Sequence, residues 1–213
     1  MARDRLGKKP LYYVEGRSGF WFASELTALL RGIDFYPEIS LKALSHYLSF
    51  NYTATGDCIL RGIQKLPAAS FLEIRRNQSV VVSKYWNLAE YFNCDKREGS
   101  EQEIAEELAA LIDQAVDSRR YSDVPLGVFL SGGVDSAIVA ESMFRQNSCA
   151  KTNAFTLGFA EAGFDEGEYA CQTANEIGLK LYTDHISAPL APLLQEVVAA
   201  YDEPFADTSI LPT

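Results

Sequence analysis

Hydrophobic and polar positions change their period several times along the chain, and each change predicts an element. Leu11-Tyr12-Tyr13-Val14 and Phe20-Trp21-Phe22-Ala23 flank a Gly-containing connection, which predicts a β-hairpin over residues 10–24. Glu25 to Leu30 reads as a short helix stopped by Gly32. Leu41, Leu44, Tyr47 and Leu48 recur at helical spacing behind Ser40, an amphipathic helix with a serine cap. After a turn at Leu66-Pro67, Phe71–Ile74 and Val80–Tyr85 form a second hairpin around Arg75-Arg76-Asn77-Gln78, a polar loop face. Asn87 to Ser100 has no period and carries Gly99, so it reads as a linker and a domain boundary.

Beyond the linker the pattern becomes a regular alternation. Ser100 and Glu103 make a capping box, and Ile104, Leu108, Leu111, Ile112, Ala115 and Val116 line one face of a helix ending near Arg119-Arg120. Leu126–Leu130 is a short apolar run suited to a buried parallel strand, followed by helical spacing over Ala137–Phe144. Ala154–Phe159 and Leu181–Ile186 are further strands, with helices over Asp165–Ile177 and Leu190–Tyr201. Strands alternating with helices predict right-handed βαβ units, a parallel sheet, and a ligand at the strands' carboxyl ends.

Composition narrows the functions open to such a fold. Hydrophobic residues make up 47% and aromatics 12% of the 213 residues, enough for buried cores. Net charge is −10, from 29 acidic against 19 basic residues, which argues against a nucleic-acid partner. Cys58, Cys94, Cys149 and Cys171 are widely spaced, and only two histidines occur, so no Cys/His zinc site is expected. None of these cysteines has a neighbouring base, and free thiols in a cytoplasmic protein are the default reading. His46 and His185 read as structural histidines. Neither a signal peptide nor a membrane span is expected.

The chemistry concentrates between the strand at 126–130 and the helix after it, at Ser131-Gly132-Gly133-Val134-Asp135-Ser136. Glycines let backbone N–H groups approach a ligand, and orphan donors at a helix start favour an anion such as phosphate. Ser131 and Ser136 add hydroxyls, and Asp135 a carboxylate able to hold magnesium against that phosphate. The lysine of a G-x-x-x-x-G-K-[ST] loop is missing, which suits gripping pyrophosphate rather than passing on a γ-phosphate. A plain strand-to-helix turn with a polar cap is the alternative reading.

Ser-Gly-Gly-Val-Asp-Ser resembles the pyrophosphate loop of the N-type ATP pyrophosphatases, which activate a carboxyl or carbonyl group as an adenylate. Other stretches resemble one branch, glutamine-hydrolysing asparagine synthase, across almost the whole chain. Arg3-Asp4-Arg5-Leu6-Gly7-Lys8-Lys9-Pro10-Leu11-Tyr12-Tyr13 and Phe22-Ala23-Ser24-Glu25 are similar to the end of its glutaminase domain. Residues 59–86 resemble its connector, with Pro67-Ala68-Ala69 in place of the usual Pro-Pro-Gly. Phe155-Thr156-Leu157-Gly158-Phe159, Asp165-Glu166 and Asp202-Glu203-Pro204-Phe205-Ala206-Asp207-Thr208-Ser209 resemble segments of its synthetase domain.

The resemblance implies an α/β fold with a doubly wound parallel sheet, adenine-nucleotide α-hydrolase-like, over 96–213. An incomplete α+β remnant of an Ntn-type glutaminase with its connector precedes it over 1–95. It implies ATP and Mg²⁺ as cofactors. Leu130 and Leu157 would contact the nucleotide as a base sandwich. Ser131, Gly132, Gly133, Asp135 and Ser136 would hold pyrophosphate, with Asp135 on the metal and Asp135 and Ser136 as catalytic groups. Thr208 and Ser209 would line an amino-acid pocket. The implied reaction adenylates the aspartate side chain and aminates it with ammonia from glutamine; a homodimer stays open. A paralogue acting on another carboxylate (β-lactam, peptide or surface sugar) and a non-catalytic nucleotide-binding module also remain open.

In that family the glutaminase nucleophile is an N-terminal cysteine, whereas position 1 here is Met, and the family's second acidic glycine-rich motif does not appear before Thr213. The expectation is an internal fragment, a truncated gene product or a piece cut to centre on the synthetase domain. Alone, it should make no asparagine.

Overall fold

The computed structural model describes residues 1–16, 19–53, 56–75, 79–146, 152–159, 166–186 and 190–206. They fall into two units, Met1–Asp95 joined by residues 190–206, and Lys96–Pro189. A linear division after residue 95 assigns residues 190–206 to the second unit; in the structure they join the first.

In the first unit β1 (Tyr12–Gly16) pairs antiparallel with β2 (Gly19–Ala23), Tyr13 opposite Phe22 and Val14 opposite Trp21. On the other edge of β1 lies β3 (Gln64–Lys65). The period of two sends Tyr12 and Val14 inward, while Tyr13 stacks on Phe20 with ring centroids 5.8 Å apart. Helices α1 (Leu26–Gly32) and α2 (Leu41–Phe50) complete this unit's core through Leu26, Leu29 and Ala43, together with Cys58, Ile59 and Ile63. The Ser40 hydroxyl accepts from the Ala43 N–H, the cap expected from the sequence. The second hairpin forms as β4 (Ser70–Glu73) and β5 (Val81–Lys84), with Leu72 opposite Val82. Within the expected linker, Leu88–Asn93 is a 3₁₀ turn, because the Asn87 side chain accepts from the Ala89 N–H. The guanidinium of Arg3 donates to the carbonyls of Leu66, Gly7 and Lys9, tying the first residues to the connector.

The second unit opens with α3 (Glu101–Asp117), whose capping box is complete: Ser100 and Glu103 each accept from the other's backbone N–H. Then come β6 (Gly127–Phe129), α4 (Val134–Gln146), β7 (Asn153–Phe159), α5 (Gly167–Ile177) and β8 (Lys180–Ile186). The strands run parallel in the order β6-β7-β8, with Phe155 opposite both Phe129 and Tyr182. An order advancing in one direction, with right-handed crossovers, puts both connecting helices on one face. Ala140 and Met143 of α4 and Ala170 and Ala174 of α5 accordingly share one buried cluster with Val128, Leu130 and Ala154.

The opposite face is different from that of a doubly wound sheet. Phe129 is 76% exposed, and Phe155 stacks on Tyr182 in the open at 5.4 Å. A doubly wound sheet needs the strand order to reverse so that helices reach both faces. Among the described residues it does not reverse, so the structure supports a parallel α/β sheet covered on one side. The expected apolar face of α3 is also largely open, with Leu108 and Leu111 more than half exposed. The last helix, α6 (Leu190–Ala200), belongs to the first unit. Among the described residues no helix is long and apolar enough to cross a membrane.

Gly127 is the position in β6 that the exposed aromatic row constrains most. The Phe155 ring lies where a Cβ on Gly127 would sit, and the Asn153 carbonyl oxygen would be 3.2 Å from it. Gly127→Ala is expected to destabilise the second unit by about 1–3 kcal/mol through overpacking. Urea unfolding checks this, and Phe155→Ala in the same chain should remove most of the penalty.

Candidate functional site

The site is built where β6 ends. The Leu130 N–H donates to the Phe155 carbonyl oxygen at 2.8 Å, the last rung joining the chain to β7. Four residues later α4 begins, and its first regular bond runs from the Ala137 N–H to the Gly133 carbonyl oxygen. Between these two bonds the backbone turns from strand to helix with residues 131–135 exposed. The far end of α4 is clamped on α3. Ser142 donates to Asp113 at 2.6 Å, Arg145 donates to the same oxygen at 3.0 Å, and Gln146 donates to the Asp113 backbone carbonyl. The Ser142 hydroxyl, with Arg145 behind it, holds the Asp113 carboxyl below the usual range, despite partial desolvation.

Among the described residues, every amide in the turn either donates to a side-chain oxygen or has no acceptor. The Ser131 N–H donates to the Ser136 hydroxyl at 3.1 Å, and the Gly133 N–H to the Ser131 hydroxyl at 3.2 Å. The two hydroxyls lie 2.9 Å apart. The Gly132 N–H donates to Oε2 of Glu166, just ahead of α5, at 3.0 Å. For the amides of Val134, Asp135 and Ser136 no acceptor occurs among the described residues, as the geometry of a helix start requires. The turn is thus a run of six consecutive donors, three met by side chains and three with no acceptor among the described residues.

The glycines act through space rather than through dihedral freedom. Neither Gly132 nor Gly133 takes a positive φ. A Cβ on Gly132 would instead lie 3.0 Å from Cβ of Tyr169, so a larger residue there would push against the first turn of α5.

The other expected site residues are distributed as follows. Asp135 is exposed in the first turn of α4, next to the open amides. Ser136 and Ser131 are linked to each other as described. Leu130 is 2% exposed and packs in the core with Val128 and Ala154, whereas Leu157 lies at the opposite parity, on the face of Phe155 and Phe129. The two side chains therefore leave opposite faces of the strand pair. Thr208 and Ser209 lie outside the described residues, as does Cys149. His185 is exposed at the end of β8, its N–H bonded to the Asp184 side chain. Among the described residues no three His, Cys, Asp or Glu side chains converge on a metal position. One carboxylate beside open amides is still a fit for Mg²⁺, which commonly takes one or two carboxylates and completes its shell with phosphate oxygens and water.

Two features escaped the sequence reading. One is Glu166 on the loop. The other is the use made of Asp202 and Glu203. Both Asp202 oxygens accept from the first amides of α1, Leu26 N–H at 2.6 Å and Thr27 N–H at 3.0 Å, a cap that Glu25 does not supply. Glu203 is nearly buried and pairs with Lys65 at 2.6 Å, their side chains 10% and 13% exposed. It also accepts from the Ile59 N–H at 2.8 Å and from the hydroxyls of Tyr12 and Thr53. Burial alone pushes the Glu203 carboxyl up, yet bonds from Lys65 and Ile59 outweigh it and leave it below its ordinary value. Burial, then the Glu203 charge, pushes Tyr12 upward. Burial also pushes the Cys58 thiol up to about 12, which leaves it inert as a nucleophile. The acidic pair is therefore spent on holding the 201–206 tail inside the first unit.

Comparison with known proteins matches both halves. The family described as asparagine synthase matches residues 107–213, and the family described as glutamine amidotransferase domain matches residues 1–86. A putative asparagine synthetase (glutamine-hydrolyzing) of Mycobacterium tuberculosis is 33% identical over 99% of this chain and 33% of its own length. Asparagine synthetase (glutamine-hydrolyzing) 1 of Bacillus subtilis is 30% identical over 99% of this chain and 32% of its own length. Amidase chyE of Penicillium rubens is 29% identical over 85% of this chain and 28% of its own length. The chain thus spans about a third of the curated relatives it matches.

The buried pair carries a pH signature. A carboxyl whose folded pKa is depressed contributes stability that is whole above its unfolded value, about 4.3, and is lost as pH falls through the folded value. Glu203→Gln should be less stable than the parent chain at pH 7, with the gap closing toward pH 3. Lys65→Met, which strands a buried carboxylate, should cost about 3 kcal/mol at pH 7. Urea unfolding at the two pH values checks both, and a gap independent of pH would contradict the assignment.

Proposed function

The chain belongs to the asparagine synthase family, and on that footing we propose that its second unit grips ATP by the β- and γ-phosphates so that pyrophosphate can leave. The observation that carries the reading is the run of amides from Ser131 to Ser136 at the carboxyl end of β6, three of them with no acceptor among the described residues. Donors already in place stabilise charge as it develops on the leaving group and need no reorganisation at that moment. The hydroxyls of Ser131 and Ser136 can rotate from their mutual bond to donate to phosphate oxygens. Asp135 would hold Mg²⁺ against those oxygens, an ion that supplies charge neutralisation when bound. The nucleotide's base would meet the backbone near Leu130 and the side chain of Leu157, since the Leu130 side chain is core.

In this reading a side-chain carboxylate oxygen of aspartate attacks the α-phosphorus. The bond from that phosphorus to the bridging oxygen breaks, and pyrophosphate leaves into the amide cradle. Ammonia then attacks the activated carbonyl and AMP leaves, giving the amide of asparagine. Thr208 and Ser209 are the residues assigned to the amino acid, and ammonia comes from glutamine hydrolysed by the domain to which residues 1–86 belong. Likeness to amidase chyE keeps a second acceptor in view, in which the same activation serves another carboxylate.

In the protein that carries this segment, Asp135→Ala should abolish aspartate-dependent exchange of pyrophosphate into ATP while glutamine hydrolysis persists. Retained exchange would overturn the assignment. Exchange supported by a different carboxylic acid and not by aspartate would select the second acceptor.

A further inference from the structure

Among the described residues the amide of Gly132 is the one donor of the turn met by a charged group, and that group comes from outside it. The acceptors for Ser131 and Gly133 are serine hydroxyls, which can turn and become donors to an incoming anion. A carboxylate can only accept. A phosphate oxygen and the Glu166 carboxylate cannot share a single N–H, and two like charges at that distance repel. The contact is also built in, because Cβ of Tyr169 and Cβ of Glu166 lie 3.0 Å and 3.5 Å from a Cβ placed on Gly132. The first turn of α5 therefore presents Glu166 to the loop at short range. Glu166 has no duty as a helix cap, since at the N-cap of α5 its side chain bonds no amide of the helix.

We propose that Glu166 is a resident counter-ligand of the phosphate loop, a positioning residue whose carboxylate fills the Gly132 amide when no nucleotide is bound and must be displaced by the diphosphate. This rests on the loop being a pyrophosphate site, and it adds how that site is kept in shape and emptied. With no nucleotide, the carboxylate satisfies the amide and holds the turn in its binding conformation. With product present, its return competes with pyrophosphate and favours release. The loop thereby gives up affinity for its leaving group in exchange for turnover.

The test is calorimetric titration of the chain and of Glu166→Gln and Glu166→Ala with inorganic pyrophosphate, first without divalent cations and then with Mg²⁺. Loss of a charge-assisted competitor should tighten binding on the order of tenfold for Glu166→Ala, and less for Glu166→Gln, whose neutral oxygen still accepts. The gain should shrink at high salt, because the competition is between charges. Equal affinities in all three proteins would overturn the proposal. Weaker binding by the variants only when Mg²⁺ is present would overturn it too, since Glu166 would then be a metal ligand. Failure of every variant and of the parent chain to bind pyrophosphate would remove the phosphate reading itself, a result distinct from equal binding. Circular dichroism of the exposed-site variants should match the parent chain.

Discussion

Backbone amides at the end of β6 need an acceptor, and that requirement organises the second unit. A strand that turns directly into a helix leaves several N–H groups with no carbonyl to meet. Here they lie in the open rather than in a core, which costs little while water or a neighbouring side chain serves them. The rung from Leu130 to Phe155 fixes where the turn starts, and the Asp113 clamp fixes α4, which gives the amides their direction. The Ser131–Ser136 bond and the Glu166 carboxylate then hold the turn in place, and in the proposed function they give way to an anion. A loop that stays ordered without its ligand loses less conformational freedom on binding.

The first unit solves a different problem. Its tail, residues 201–206, follows α6 and is held by charges rather than by apolar area. Tyr201 and Phe205 stack on each other at 5.9 Å, while Asp202 caps α1 and Glu203 reaches Lys65. An ion pair this far from water is tolerated because further donors meet the carboxylate, from Ile59, Thr53 and Tyr12. Thr208 and Ser209 follow that anchored stretch within a few residues of chain.

Much of the second unit was legible because its signals are local. Short apolar runs, the Ser100–Glu103 box and the strand–turn–helix around Gly132 depend on neighbours in sequence, and each forms where it was read. Sidedness was less legible. Whether a parallel sheet is covered on one face or both depends on the order of its strands, and an apolar run such as Leu126–Leu130 reads the same either way. The placing of the two leucines was hidden for a related reason: Leu130 and Leu157 are equally apolar in sequence, and only the β6–β7 register sets them on opposite faces. Glu203 was illegible as a buried residue, since its partner Lys65 is 138 positions away. Glu166 could have been suspected from its place before a helix that follows the next strand, but its bond to Gly132 is a product of packing.

In the proposed function the loop's own amides receive pyrophosphate. The most direct measurement is a two-dimensional amide NMR titration of the chain with inorganic pyrophosphate. If those amides hold the diphosphate, the signals of Gly132, Gly133, Val134, Asp135 and Ser136 move together and saturate at one affinity, while the Gly127 and Gly178 amides stay in place. Saturable movement confined to other amides, with the loop signals unmoved, would contradict it.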